Sequence, residues 1–159
     1  MRLIIAAVGK MRSAPGAAMV EDYLNRSAGM GKSLGFSAIK LFEKEAPKSL
    51  SGAALTDREG ELLIGAVPER AEVAVLDERG KNFSSESMAE YLDHLRLAGR
   101  DVAFLIGGAD GHGSDVKGRA DKLISFGAAT WPHMLVRVML AEQLYRAITI
   151  LAGHPYHRS

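Results

Sequence analysis

The stretch Arg2-Leu3-Ile4-Ile5-Ala6-Ala7-Val8-Gly9 is apolar at every position from Leu3 to Val8 and closes on a glycine. A strand with one wet face alternates polar and apolar residues. An unbroken apolar run is the pattern of a strand buried on both faces of a parallel sheet. Working outward, Ala71-Glu72-Val73-Ala74-Val75-Leu76 and Asp101-Val102-Ala103-Phe104-Leu105-Ile106 belong to the same class. Gly35 to Phe42 and Leu123 to Phe126 read as a second strand and a short fifth one. Helical spacing fills the intervals. Ala14 to Ala28 carries Met19, Tyr23 and Leu24 on one face, and Gly29 and Gly31 stop it. Glu43 to Gly52 is charged, holds Pro47 and reads as a loop. Thr56 to Val67 is helical and ends at Pro68, and a serine at 84 or 85 caps a helix running to Leu97. Ser114 to Ala120 fits a short helix. The alternation predicts an α/β domain with a mostly parallel sheet and helices on both faces.

The last of these helices is the longest. Thr130 is the expected N-cap and Pro132 suits the first turn, where a missing N–H is harmless. Leu135, Val138, Met139, Glu142, Tyr145, Arg146 and Thr149 then recur at helical spacing up to Ala152, with enough further apolar residues to predict burial. Gly153 stands where a left-handed C-terminal glycine belongs. Beyond it comes His154-Pro155-Tyr156-His157-Arg158, dense in hydrogen-bonding groups and cations. Ordinary C-termini are bland and fray, so this tail is expected to cover a site, on this chain or on a neighbouring subunit.

Composition bounds the function. A chain of 159 residues builds one domain with a real core. A net charge of +1 argues against a strongly basic nucleic-acid coat while leaving room for a local basic site. With no cysteine, disulfides, thiolate catalysis and cysteine-built zinc sites are excluded. No run reaches the length of a membrane span and no signal peptide opens the chain, so a cytoplasmic location is expected.

Ligands of open α/β sheets sit at the carboxyl ends of strands. Three such ends are specialised here: Leu76-Asp77, the cluster Gly107-Gly108-Ala109-Asp110-Gly111-His112-Gly113, and Gly127 to Pro132. The dinucleotide pattern of spaced glycines fails at Val116, and no phosphate loop of the G-x-x-x-x-G-K-[ST] type exists. What the glycines offer is close backbone approach to a ligand. Three further readings are weaker. His154 and His157 have a spacing that suits one metal, but Pro155 lies between them and no carboxylate is near in sequence. Asp77, Glu78 and Asp110 form a candidate carboxylate set for hydrolysis, although such residues serve turns more often. Glu142 and Arg146, at i and i+4, read as a structural ion pair.

Four motifs together resemble the ribosomal large-subunit methyltransferase H family: Ile106-Gly107-Gly108-Ala109-Asp110-Gly111, Thr130-Trp131-Pro132-His133, Glu142-Gln143-Leu144-Tyr145-Arg146-Ala147 and Gly153-His154-Pro155-Tyr156-His157-Arg158. The likeness spans the chain and is densest over 102–158. It implies a SPOUT-type methyltransferase using S-adenosyl-L-methionine, with a trefoil knot over about 71–159 within a single domain of 1–159. It implies a homodimer that methylates N3 of a pseudouridine in 23S rRNA on the assembled ribosome, without a metal. By the same resemblance Leu76, Gly108, Gly127, Ala128, Ala129, Thr130, Trp131 and Pro132 line the cofactor site. His154, Tyr156, His157 and Arg158 help form the acceptor site, reaching across the dimer. His154 or His157 would take the acceptor proton, or Arg158 would stabilise the anion, and Tyr156 is available for stacking. Relatives commonly carry more Ser and Leu in the cofactor loop than Ser125-Phe126-Gly127-Ala128-Ala129, so contacts there fall more to backbone groups. Two rival expectations are a non-catalytic ribosome-binding dimer of the same fold and a metal-dependent hydrolase.

Overall fold

The computed structural model describes residues 1–12 and 14–157. Five strands alternate with five helices: β1 (Arg2–Val8), α1 (Ala17–Gly31), β2 (Ala38–Lys44), α2 (Gly52–Ile64), β3 (Glu72–Asn82), α3 (Ser85–Leu97), β4 (Val102–Ile106), α4 (Ser114–Arg119), β5 (Lys122–Ser125) and α5 (His133–Leu151). The strands form one sheet in the order β2-β1-β4-β3-β5, and all four pairings are parallel. The unbroken apolar runs fall where that order requires them. β1 and β4 sit inside the sheet, and every residue from Leu3 to Val8 and from Val102 to Ile106 is buried. One face carries α1, α3 and α5 over a core that includes Ile5, Phe104, Met88, Leu92, Leu140 and Leu144. The other carries α2 and α4 over Ile4, Ala6, Leu63, Leu105 and Val116.

Several boundaries differ from expectation, each for a local reason. α1 continues through Gly29 to Gly31. The ring of Phe36 packs so close that a Cβ on Gly31 would stand 3.1 Å from the Phe36 side chain, so this glycine serves a contact rather than a stop. The stop is Gly35, with φ of +90°. β2 is displaced to include Glu43 and Lys44, expected in a loop, because they pair with Ala7 and Val8. α2 begins at Gly52 and ends at Ile64, ahead of Pro68. Thr130 does not cap α5; Pro132 occupies that position, and the Thr130 hydroxyl donates to Glu78 at 2.8 Å. The serine cap of α3 holds: Ser84 accepts the Ser87 N–H at 3.1 Å. Gly153 takes its left-handed turn at φ +64°.

β3 runs six residues past Leu76, to Asn82, and its pairing with β5 is broken on the way. Leu76 and Lys81 both pair with Ile124, so Asp77 to Gly80 loop out between them. At the second crossing Gly80 lies on the backbone of Ile124, where a Cβ would stand 2.6 Å from its N and C atoms. α5 is fastened to the opposite edge of the sheet by Arg137, whose side chain is fully buried. Its guanidinium donates to Glu43 at 2.6 Å, to the Val8 carbonyl at 2.7 Å and to the Gly9 carbonyl at 3.0 Å. Burial pulls its pKa below the usual arginine value, and Glu43 opposes that pull.

Candidate functional site

The carboxyl ends of β3, β4 and β5 converge on a cleft of about 370 Å³. Leu76, Gly108, Gly127, Ala129, Thr130 and Trp131 line it; Ala128 and Pro132, from the same run, do not. Val136 of α5 and Phe126 add apolar wall that the sequence motifs did not single out. Its glycines are used for close approach. A Cβ on Gly107 would stand 2.8 Å from the Gly111 carbonyl oxygen, and one on Gly108 would stand 2.9 Å from the Glu59 carboxylate. Glu59, on α2, is nearly buried beneath that loop, and burial followed by Asp110 pushes its carboxyl above the ordinary range.

Backbone groups hold the cleft's shape. The Gly127 N–H is shared between Asn82 Oδ1 at 2.9 Å and Ser125 Oγ at 3.2 Å, and Gly127 has φ of +112°. His112 Nε2 lies 3.2 Å from both the Gly107 N–H and the Leu76 carbonyl, bridging the ends of β4 and β3. One nitrogen either donates to the carbonyl or accepts from the amide. Burial lowers the pKa of His112 and of His133, which also faces the cleft, so both rings are held neutral.

Asp77, Glu78 and Asp110, the carboxylates expected as a hydrolytic set, all line the cleft. Asp77 accepts the Arg79 N–H at 2.9 Å and lies 3.7 Å from Lys117, while Glu78 takes the Thr130 hydroxyl. Among the described residues no group of three or more His, Asp or Glu side chains is arranged to hold a metal.

The tail forms a second constellation away from this cleft, on the face made by α1, α3 and α5. The Tyr156 hydroxyl donates to Glu142 at 3.1 Å, and its ring meets Tyr145 edge-on with centroids 4.7 Å apart. Arg146 stands over the same ring at 4.8 Å and Arg26 at 5.5 Å. Tyr156 is half-buried, with one side of its ring against Tyr145 and the two arginines. Burial first, then Tyr23 and Glu142, drives its phenol well above the usual tyrosine range, so it stays protonated. His154 is exposed, and its Nδ1 accepts the Tyr156 N–H at 3.2 Å. His157 Nε2 lies 2.8 Å from Glu86 on the first turn of α3, and its Nδ1 lies 3.5 Å from Arg146. The Glu142–Arg146 pair forms as expected, with contacts of 2.9 and 2.6 Å. Arg158 lies outside the described residues. Glu86, Arg26 and Tyr23 carried no motif; only the folded packing of α1 and α3 on α5 reveals them.

A shallower hollow of about 640 Å³ joins the two constellations. It shares Ser125, Phe126 and Gly127 with the cleft and reaches Glu142 through Met19, Phe83, Val138 and Met139.

Comparison with known proteins gives the family. A family model described as "Predicted SPOUT methyltransferase" matches residues 1–157. Proteins named ribosomal RNA large subunit methyltransferase H are 53% identical in Cereibacter sphaeroides and 51% in Paracoccus denitrificans, each over 158 residues and 99% of both chains. One from Hyphomonas neptunium is 46% identical over all of both chains. Among solved structures, a probable methylase family protein from Haemophilus influenzae superposes with a TM-score of 0.52 at 13% identity. The match covers 99% of this chain and 70% of that one. At that identity the likeness speaks for the fold alone.

Proposed function

The chain belongs to the SPOUT methyltransferase family, and from that premise we propose that it transfers a methyl group from S-adenosyl-L-methionine to ribosomal RNA of the large subunit. The specific acceptor is N3 of a pseudouridine in 23S rRNA, reached on the assembled ribosome by a cytoplasmic homodimer. One observation carries the reading: six of the residues expected at the cofactor, from three separate strand ends, line a single cleft.

The cleft suits such a cofactor. It presents backbone donors and acceptors on glycine loops and has no phosphate-binding pattern. Asp77, Glu78 and Asp110 outnumber Lys117 and Arg79 around it, which favours a ligand carrying positive charge. Leu76, Gly108 and the 127–131 loop would hold the nucleoside by backbone contacts, with Phe126, Val136 and Trp131 against its apolar surfaces. When bound, the cofactor supplies an activated methyl on a sulfonium. This chain's own work is to orient the acceptor in line, exclude water and remove the proton from the acceptor nitrogen. A C-terminal knot over about 71–159 within one domain belongs to the same reading, as membership of the SPOUT family implies. Met19, Trp131 and Leu135 are large apolar side chains with 42% or more of their surface exposed, which supports pairing with a second copy. In this reading the tail acts on the partner's cleft.

Calorimetric titration with S-adenosyl-L-methionine in the presence of a chelator tests the reading. Saturable binding is expected, and chelator-sensitive turnover would favour a metal-dependent hydrolase instead. Absence of binding by the folded protein would favour a non-catalytic ribosome-binding dimer.

A further inference from the structure

We infer that Glu86 and His157 form a working pair in which Glu86 fixes the ring of His157 so that Nδ1 is the proton acceptor. The inference rests on the reading that the tail serves the methyl acceptor. Hydrogen-bond accounting carries it. Glu86, as a carboxylate, only accepts, so the Nε2 that faces it at 2.8 Å carries the hydrogen. Arginine only donates, so the Nδ1 that faces Arg146 at 3.5 Å presents its lone pair. Both neighbours select the same neutral tautomer, with the lone pair of Nδ1 engaged only by a long contact.

His154 is set the other way. Its Nδ1 accepts the Tyr156 N–H at 3.2 Å, so in the neutral ring Nε2 carries the hydrogen and is a donor. The one lone pair of His154 is spent on the turn that shapes the tail. Tyr156 is spent on Glu142. Of the described tail residues, His157 alone offers a lone pair with a carboxylate behind it, the arrangement that orients an imidazole base and steadies its protonated form.

The step balances. The acceptor's ring imide N–H gives its proton to Nδ1 of His157, and the imidazolium is stabilised by Glu86 through Nε2–H. The freed nitrogen pair forms the new N–CH₃ bond as the C–S bond breaks, and sulfur keeps the electron pair as a thioether. Arg146 uses Nε and Nη2 on Glu142, which leaves Nη1 beside His157 to face the negative charge that develops on the acceptor. Glu86 is therefore a positioning residue, and His157 is the base.

The test compares Glu86→Ala, Glu86→Gln and His157→Ala in the full-length protein. Binding of S-adenosyl-L-methionine is measured alongside single-turnover methylation of ribosomes that lack the modification. His157→Ala is expected to lose about a hundredfold or more in rate with cofactor binding intact. Glu86→Ala is expected to lose about tenfold or more in the saturating single-turnover rate, with the ribosome concentration for half-maximal rate little changed, the scale at which outer partners of a working imidazole act. Glu86→Gln keeps an oxygen acceptor for Nε2–H and should recover most of the rate. Long-range nitrogen–proton spectra should show the Nε2–H tautomer of His157 in wild type and Glu86→Gln, and a tautomer mixture in Glu86→Ala. Full activity of His157→Ala would overturn the assignment of His157 as the base, whereas the tail's role as a whole falls only if the chain truncated after Gly153 turns over normally. A slow His157→Ala beside a fully active Glu86→Ala, or an unchanged tautomer in Glu86→Ala, would overturn the pairing alone.

Discussion

Replacing Gly80 with alanine adds one methyl group where two backbone segments cross. The new Cβ would stand 2.6 Å from N and C of Ile124 and 2.7 Å from C of Leu123. Ordinary carbon contacts need about 1 Å more. The obstacle is backbone on both sides, so no rotamer change relieves it, and the end of β3 must move off β5. Overpacking of this kind costs roughly 1–3 kcal/mol, and the melting temperature of a domain this size falls by about 2–4 °C for each kcal/mol. The cost is not confined to stability. Asn82, two residues on, accepts the Gly127 N–H, and Gly127 is on the wall of the cleft. Gly80→Ala is therefore expected to lower the melting temperature and to weaken S-adenosyl-L-methionine binding together. Gly29→Ala is the matched control. It lies inside α1 with nothing within 4 Å of the added Cβ. There the substitution should stabilise by about 0.5–1 kcal/mol and leave binding alone. Thermal unfolding and calorimetric titration of both variants decide the matter. A Gly80→Ala protein as stable as wild type, with unchanged affinity, would refute the close crossing.

Arg137→Met removes a buried guanidinium and strands Glu43 and the Val8 and Gly9 carbonyls, so urea unfolding should show a loss of about 3–5 kcal/mol; a loss under about 1 would contradict the clamp. Ser84→Ala removes the cap of α3 and should cost about 0.5–2 kcal/mol by the same measurement, with no change counting against the capping bond. Burial lowers the folded pKa of His112 and His133, so the unfolded chain binds more protons and stability falls as pH drops through the ordinary histidine range near 6.5. Glu59, whose folded pKa is raised, works in the opposite sense from the ordinary carboxylate range upward. Urea unfolding at pH about 7.5 and about 5.5 should therefore show a smaller pH effect in His112→Gln than in wild type, and equal effects would exclude His112 as a source. Truncation after Gly153 should leave folding and cofactor affinity largely intact while abolishing methylation, and normal turnover by the truncated chain would remove the tail from the mechanism.

The sheet was legible because burial on both faces leaves a mark on every residue of a strand. Leu3 to Val8 and Val102 to Ile106 are read without neighbours, and the serine before α3 and the glycine after α5 punctuate by their own chemistry. The strand order was not legible, since nothing local to β3 or β4 says which strand lies between which. The second crossing of β3 on β5 depends on Gly80 meeting Ile124, far apart in sequence, and is silent until both are placed. Thr130 illustrates local propensity overridden: as a cap residue it had a good rival partner, and Glu78 took its hydroxyl. The cleft at the ends of β3, β4 and β5 was legible from strand ends and glycines. The surroundings of the tail were not, because Glu86, Arg26 and Tyr23 lie on other helices with ordinary surface spacing.

The most direct measurement is transfer of isotopically labelled methyl from S-adenosyl-L-methionine to ribosomes lacking the modification, with the labelled nucleotide located by mass spectrometry. The account predicts label on N3 of a pseudouridine in 23S rRNA, lost on truncation after Gly153. Saturable cofactor binding with no label on any ribosomal RNA would contradict it.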